Sequence, residues 1–204
     1  MLPWWRLLDK MATLLLDSSN TSLSVGFEKD GKLLGYSSFE AWQVQSEYMV
    51  PEIDKLMTKL GLTRRDISGV VTAIGPGSYT GVRISLTIAK IVSLACECPI
   101  YPVSSLRVLK DGENPSICVI NARSGRSYFG VFEGEKVLVE DTIKTNDEVL
   151  EYIKNNPEFK VCGNAQYLGL ENIDTNICLQ MISLLKVLEP AENDLAVKPV
   201  YMKD

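Results

Sequence analysis

No histidine occurs anywhere in the 204 residues. That absence excludes a Ser-His-Asp triad, a Cys-His dyad and any His-ligated metal within the chain. Whatever chemistry the chain carries must rest on carboxylates, lysine or the Mg²⁺ of a bound nucleotide. Positive charge is also in deficit: 21 Lys and Arg against 26 Asp and Glu leave a net charge of −5. A protein that grips phosphate backbones across its own surface is normally basic, so any nucleic acid is expected to be held by a partner. Long hydrophobic runs are missing too. The longest apolar-rich stretch, residues 82–96, is broken by Arg83, Ser85, Lys90 and Ser93, short of the roughly 20 apolar residues of a membrane span. Residues 1–10 have too short an apolar part for a signal peptide and contain Asp9. A tag or an extended start before Met11 is expected there. Five cysteines, Cys96, Cys98, Cys118, Cys162 and Cys178, are odd in number and scattered through apolar runs. They read as buried, reduced thiols of a cytoplasmic protein. Cys96-Glu97-Cys98 lacks the second cluster that a metal site needs.

What is present is ordinary in bulk and distinctive in one place. Apolar residues make up 46% of the chain and charged residues 23%, enough for one domain or two small lobes with real cores. The distinctive stretch is Gly75-Pro76-Gly77-Ser78-Tyr79-Thr80-Gly81. The apolar run 70–74 leads into it, and a long apolar segment leads out. Strand, glycine turn and helix together can present backbone N–H groups to an anion. This turn lacks the Gly-Lys-Ser/Thr ending of a P-loop. The alternative is architectural: glycines let the backbone turn tightly and approach a neighbour, and the missing lysine favours it. The helix after the turn, residues 80–96, is apolar around nearly its whole circumference. It is expected to cover a sheet with one face and a partner subunit with the other.

The remaining pattern places three antiparallel strands in the first forty residues, with a hairpin at Asp30-Gly31. A helix follows at 45–60, stopped by Gly61 and complicated by Pro51. Strands are expected at 70–74 and 99–103, and a short helix capped by Ser104 comes next. The best linker is residues 111–115. After it come strands at 117–121, 127–133 and 136–141, a helix at 146–155, a strand at 159–162 and a helical segment at 177–188. The second half thus begins as the first does. Two similar α/β lobes are inferred, residues 11–110 and 116–204, the second shortened.

Three groups of residues invite a functional reading. Asp17 ends the first strand and precedes Ser18 and Ser19. It could hold Mg²⁺ while the hydroxyls face phosphate, or it could close a hairpin in an Asx or Ser/Thr turn. Arg83, in the first turn of the apolar helix, is expected to pair with an acid or border an interface. Residues 121–126, Asn-Ala-Arg-Ser-Gly-Arg, form either an anion site or a solvated hairpin tip.

The order Leu-Leu-Leu-Asp17-Ser-Ser, Ser46-Glu47, Gly75 through Lys90, Val103-Ser-Ser-Leu106, Asn121 through Tyr128 and Pro199-Val-Tyr201-Met resembles the TsaB (YeaZ) family, most specifically over residues 75–90. The resemblance implies an actin/Hsp70-like (ASKHA) two-lobe fold with mixed sheets flanked by helices. It implies a bacterial protein of tRNA threonylcarbamoyladenosine (t6A) formation at position 37, in tRNAs reading codons that begin with A. In that family the protein is a non-catalytic relative of TsaD, the subunit that transfers the threonylcarbamoyl group. It pairs with TsaD, is joined by the ATPase TsaE, and also forms homodimers. The implied partner surface lies on the helices at 45–60 and 80–96: Tyr48, Met49, Glu52, Ile53, Leu56, Tyr79, Thr80, Val82, Arg83, Leu86, Ala89 and Lys90. No cofactor is expected to be intrinsic; ADP or ATP with Mg²⁺ could sit at the joint with TsaD. The chain departs from the family pattern at Gln45, where a histidine is usual, and at Asn121 and Arg126, where Asp and Glu are usual. The competing expectations are an actin-fold ATPase or small-molecule kinase using Asp17 and Mg²⁺, and a glycoprotease-like peptidase, which lacks a nucleophile–base pair.

Overall fold

The computed structural model describes residues 11–202 apart from Asn172; the expected tag or start at 1–10 lies outside the described residues. The run Thr-Leu-Leu-Leu forms the middle of β1 (Ala12–Asp17). Leu14 and Leu16 face one core and Leu15 faces another, so an unbroken apolar run marks a strand covered on both sides. β2 (Ser22–Lys29) and β3 (Lys32–Glu40) follow antiparallel, β3 forming an edge whose residues alternate in exposure. The hairpin between them takes positive φ at Asp30 and Gly31, as a two-residue turn of this hand requires. α1 (Gln45–Leu60) then crosses to β4 (Ile67–Ala73), which pairs parallel with β1. Pro51 sits inside α1 rather than at its start. Gly61 ends the helix in a left-handed cap, and the Leu62 N–H donates to Met57 O at 2.9 Å. α2 (Tyr79–Cys96) leads to β5 (Ile100–Val103), completing a five-stranded sheet in the order β3-β2-β1-β4-β5.

The second sheet repeats this plan. β6 (Ser116–Arg123), β7 (Arg126–Glu133) and β8 (Lys136–Thr145) are antiparallel. α3 (Asn146–Asn155) crosses to β9 (Lys160–Gly163), parallel to β6, giving β8-β7-β6-β9. The order matches β3-β2-β1-β4, and what shortens the second sheet is the lack of counterparts to α2 and β5. α3 starts in a capping box, Thr145 with Glu148. It covers the outer face through Val149, against Ile117, Val119, Phe129 and Val131.

α1 and α2 cover one face of the first sheet, burying Met49, Ile53, Leu56 and Ala89 over Leu14, Leu16, Val25 and Phe27. α2 is the described helix long and apolar enough, by length and composition, to cross a membrane. Here one side of it, Val82, Leu86 and Ala89, is buried, and Ser85 Oγ bonds Ala73 O of β4. The opposite sheet face is covered by α4 (Ile177–Leu184), whose Cys178, Met181 and Leu184 meet Leu15, Val71 and Val103. Residues after α4 stay with the first lobe. The Ala191 N–H donates to Ile100 O at 2.8 Å, and the Val200 N–H to Ile74 O at 2.7 Å. A single cut at 111–115 therefore does not separate the lobes, because residues 177–202 belong with the first sheet. The linker is also tied to α4. Lys110, 1% exposed, donates to Gly112 O, Gln180 Oε1 and Ser183 Oγ at 2.8, 3.2 and 3.3 Å.

Candidate functional site

The turn after β1 and the glycine turn before α2 close on each other. The Ser78 N–H donates to Ser19 O at 2.7 Å, and Ser18 Oγ donates to Gly81 O at 2.8 Å. Ser78 caps α2 by accepting from the Gly81 N–H at 3.2 Å. A Cβ on Gly77 or Gly81 would run into the Ser19 or Ser18 carbonyl. Glycine is needed at both positions because two backbones touch there. The helix entry thus takes the chain's own Ser19 carbonyl where a phosphate oxygen would sit. Gly75 joins the same seam: its N–H donates to Ser105 Oγ at 3.0 Å, and its carbonyl accepts from the Ser105 N–H.

Asp17 is sealed under this seam. Its side chain is 1% exposed and accepts from the Ser19 N–H at 3.0 Å. Burial pushes its pKa up, only partly offset by the Ser19 hydrogen bonds. A divalent cation needs reachable carboxylate oxygens, and Asp17, buried and turned onto the Ser19 N–H, does not present them. Ser18 and Ser19 are likewise buried. The residues present therefore do not fit a magnesium-nucleotide held by this chain's own acid, and the Asx-turn reading of 17–19 describes the geometry.

Between the lobes lies an open cleft of about 770 Å³. One wall comes from Asn20 and Thr21, from Trp42, Gln43, Gln45 and Ser46 around the start of α1, and from Gly77 to Thr80. The other comes from Ile120 to Arg123, Tyr128, Asn164, Gln166 and Tyr167. Of the two readings of 121–126, the structure shows the exposed hairpin tip, and Arg123 lines the cleft. No carboxylate among the described residues lines this cleft. Among the described residues no group of three or more Cys, Asp or Glu is placed to hold a metal. Tyr167 donates to Ser127 Oγ at 2.5 Å, Ser127 reaches Asn146 Oδ1 at 3.0 Å, and burial raises the Tyr167 pKa. The cleft has donors, acceptors, aromatic faces and one cation, but no general base poised near neutral pH.

The helix face named from the sequence turns out to be divided. Met49, Ile53, Leu56, Val82, Leu86 and Ala89 are buried against the first sheet, so they cannot themselves meet a partner. What faces outward on α2 is the opposite stripe. Tyr79, Arg83, Thr87, Ile91 and Leu94 recur at helical spacing, with Ile91 61% and Leu94 70% exposed. Tyr48 and Val50 on α1 are also exposed, and Thr80 sits at the cleft mouth. Glu52 is half-buried, and its carboxyl is held below the usual range first by Ser37 and then by Lys55. Lys90 is engaged within the chain, donating to Leu195 O at 2.8 Å. Among the described residues Arg83 meets no acid. Its Nε donates to the Tyr201 hydroxyl at 2.6 Å and its guanidinium lies 4.0 Å from the Tyr79 ring centroid, while Tyr79 and Tyr201 stack at 5.1 Å. Sequence reasoning missed the cleft residues Trp42 and Gln166 and gave Tyr201 no role beside Arg83. Only the exposed aromatic character of Trp42 could have flagged one of them.

A family model described as "TsaD: tRNA N6-adenosine threonylcarbamoyltransferase" matches residues 40–174, more than half of the chain. The chain is 28% identical over 144 residues to "tRNA threonylcarbamoyladenosine biosynthesis protein TsaB" of Bacillus subtilis, covering 69% of this chain and 63% of that protein. It is 31% identical over 148 residues to the protein of the same name from Buchnera aphidicola subsp. Schizaphis graminum, covering 65% and 69%. The chain thus spans a little under two thirds of the length of the Bacillus relative. Its fold matches the solved structure of YeaZ from Pseudomonas aeruginosa with a TM-score of 0.75 at 18% identity, covering 94% of this chain and all of that one.

Proposed function

The chain belongs to the TsaB (YeaZ) family, and from that premise we propose that it serves threonylcarbamoyladenosine biosynthesis on tRNA as a non-catalytic partner subunit of TsaD. The observation that carries this reading is the outward stripe of α2. Two large aliphatic side chains, Ile91 and Leu94, stand in water near the C-terminal end of a helix whose other side is already buried. Such side chains become favourable when a second surface removes them from water, at roughly 25 cal/mol per Å². The subunit contributes shape and apolar surface, while transfer chemistry stays with TsaD. The cleft supports this division of labour, since it offers neither a metal-ligand set nor a general base. Under this reading the metal ligands of any ADP or ATP at the joint come from TsaD. The same stripe serves the homodimer, TsaE joins the assembled pair, and tRNA reaches this chain through the complex in the cytoplasm.

Reconstitution tests the proposal. Modification of tRNA by TsaD, TsaE and the threonylcarbamoyl-adenylate source should depend on this chain. The double variant I91E/L94E should melt like the wild type, sediment as a monomer, fail to capture TsaD and leave tRNA unmodified. Full activity with this variant, or modification that is indifferent to the chain, would refute the proposal.

A further inference from the structure

The outward stripe of α2 ends in opposite charges, Arg83 near one end and Glu97 at the other, and such a stripe complements a copy of itself. We propose that two copies lay α2 antiparallel about a two-fold axis beside Ile91, with Arg83 of each copy paired to Glu97 of the other. This inference rests on the homodimer of the preceding reading and deepens it: the repeated ion pair fixes the register in which the two stripes meet.

Three observations carry it. First, the spacing is self-complementary. Arg83 lies about two turns before Ile91 and Glu97 about two turns after it. An antiparallel copy therefore brings Glu97 opposite Arg83 twice, in symmetric pairs about 21 Å apart. The same alignment sets Ile91 against its own counterpart and Leu94 over Thr87 of the second copy, taking the exposed aliphatic side chains out of water. Lys90, close to the axis, is turned aside onto the Leu195 carbonyl at 2.8 Å. Second, both charges stand at the unfavourable end of their own helix. Arg83 is near the N-terminal end of α2, where the helix dipole is positive, and Glu97 caps the C-terminal end, where it is negative. No acid stands in the first turn and no base in the last. In an antiparallel pair each charge lies beside the opposite end of the other helix, so a placement that costs the single chain stabilises the dimer. Third, both groups are presented to solvent. Arg83 and Glu97 are exposed, and among the described residues no ion pair engages either. Glu97 shares a shallow surface pocket with Leu94 and Leu195, so the acid and the aliphatic end of the stripe belong to one surface. Arg83 is held in place by the Tyr201 hydroxyl on its Nε and by the Tyr79 ring. That leaves it donors to spare and little side-chain freedom to lose on pairing.

Charge reversal tests the register by sedimentation equilibrium on the full chain. The wild type should dimerise. Arg83→Glu and Glu97→Lys should each weaken the dimer at least about tenfold, because each replaces two attractions by two like-charge contacts. An equimolar mixture of the two variants should recover the wild-type affinity, since every pair in the mixed dimer is again of opposite sign. The double variant R83E/E97K should recover it as well. Both positions are exposed, so matched thermal melts will show that the variants fold. A wild type that stays monomeric overturns the proposal. So do single variants that dimerise as tightly as the wild type, or a mixture no tighter than its separate components. The partner-subunit reading fails separately: a wild type that captures TsaD and supports tRNA modification upholds that reading whatever the register of the homodimer.

Discussion

Replacing Gly81 with alanine separates the two accounts of the glycine turn. Gly81 lies in the first turn of α2, where its ideal Cβ would overlap the Ser18 carbonyl, a backbone atom that cannot swing away. Forcing a methyl into such a contact costs about 1–3 kcal/mol. Displacing the strand end also endangers the Ser18 Oγ to Gly81 O bond at 2.8 Å, worth about 1 kcal/mol. Alanine's higher helix propensity returns up to about 1 kcal/mol. The balance is a net loss of about 1–3 kcal/mol, a fall in Tm of about 2–12 °C for a chain of this size. Were the turn merely a solvent-facing cradle, the propensity term would stand alone and Gly81→Ala would raise Tm. Thermal melts followed by circular dichroism read the sign directly. An unchanged or higher Tm would refute the argument that two backbones touch here.

Asp17→Asn keeps the Ser19 N–H acceptor while removing an acid whose folded pKa is raised. The wild type loses stability as pH rises from the ordinary 3.8 through that higher folded value, so urea titrations should show the variant gaining on the wild type across that window and the difference then levelling off. Lys110 is the opposite case, a lysine whose folded pKa is lowered by burial. The cost of its buried charge is fully present below the folded pKa and fades as pH rises toward the ordinary 10.5, so wild type should gain on Lys110→Met between neutral pH and 10. Tyr201→Ala should free the tail from Arg83 and Tyr79. Faster amide exchange at Val200, whose N–H bonds Ile74 O, would report it, and unchanged exchange would show the tail held by other contacts.

How far the sequence could be read depended on how local each signal was. β1, the Asp30-Gly31 hairpin and the Gly61 stop are written in a few adjacent residues, and the structure has them at those positions. The repeat of the two sheets was legible only as an order of elements, because strand pairing tolerates wholly different side chains on the same plan. The outward side of α2 was not legible. With Val82, Leu86 and Ala89 on one side and Ile91 and Leu94 on the other, periodicity is nearly flat and only the sheet decides which side is inside. Asp17 was located correctly, but its burial depends on the glycine turn, some sixty residues later, folding over it. The return of residues 189–202 has no local signature either. Asp194 accepts from the Ile100 N–H at 2.9 Å and from Ser93 Oγ at 2.7 Å, pairings that link distant parts of the chain.

The return of α4 to the first sheet has a consequence during synthesis. Leu15, Val71 and Val103 are made before the second sheet, yet the residues that shield them, Cys178, Met181 and Leu184, are made only after it. The lobe begun first is finished last. Until residues 177–202 are released, a nascent chain displays one bare apolar sheet face, a natural target for a chaperone that binds extended hydrophobic segments.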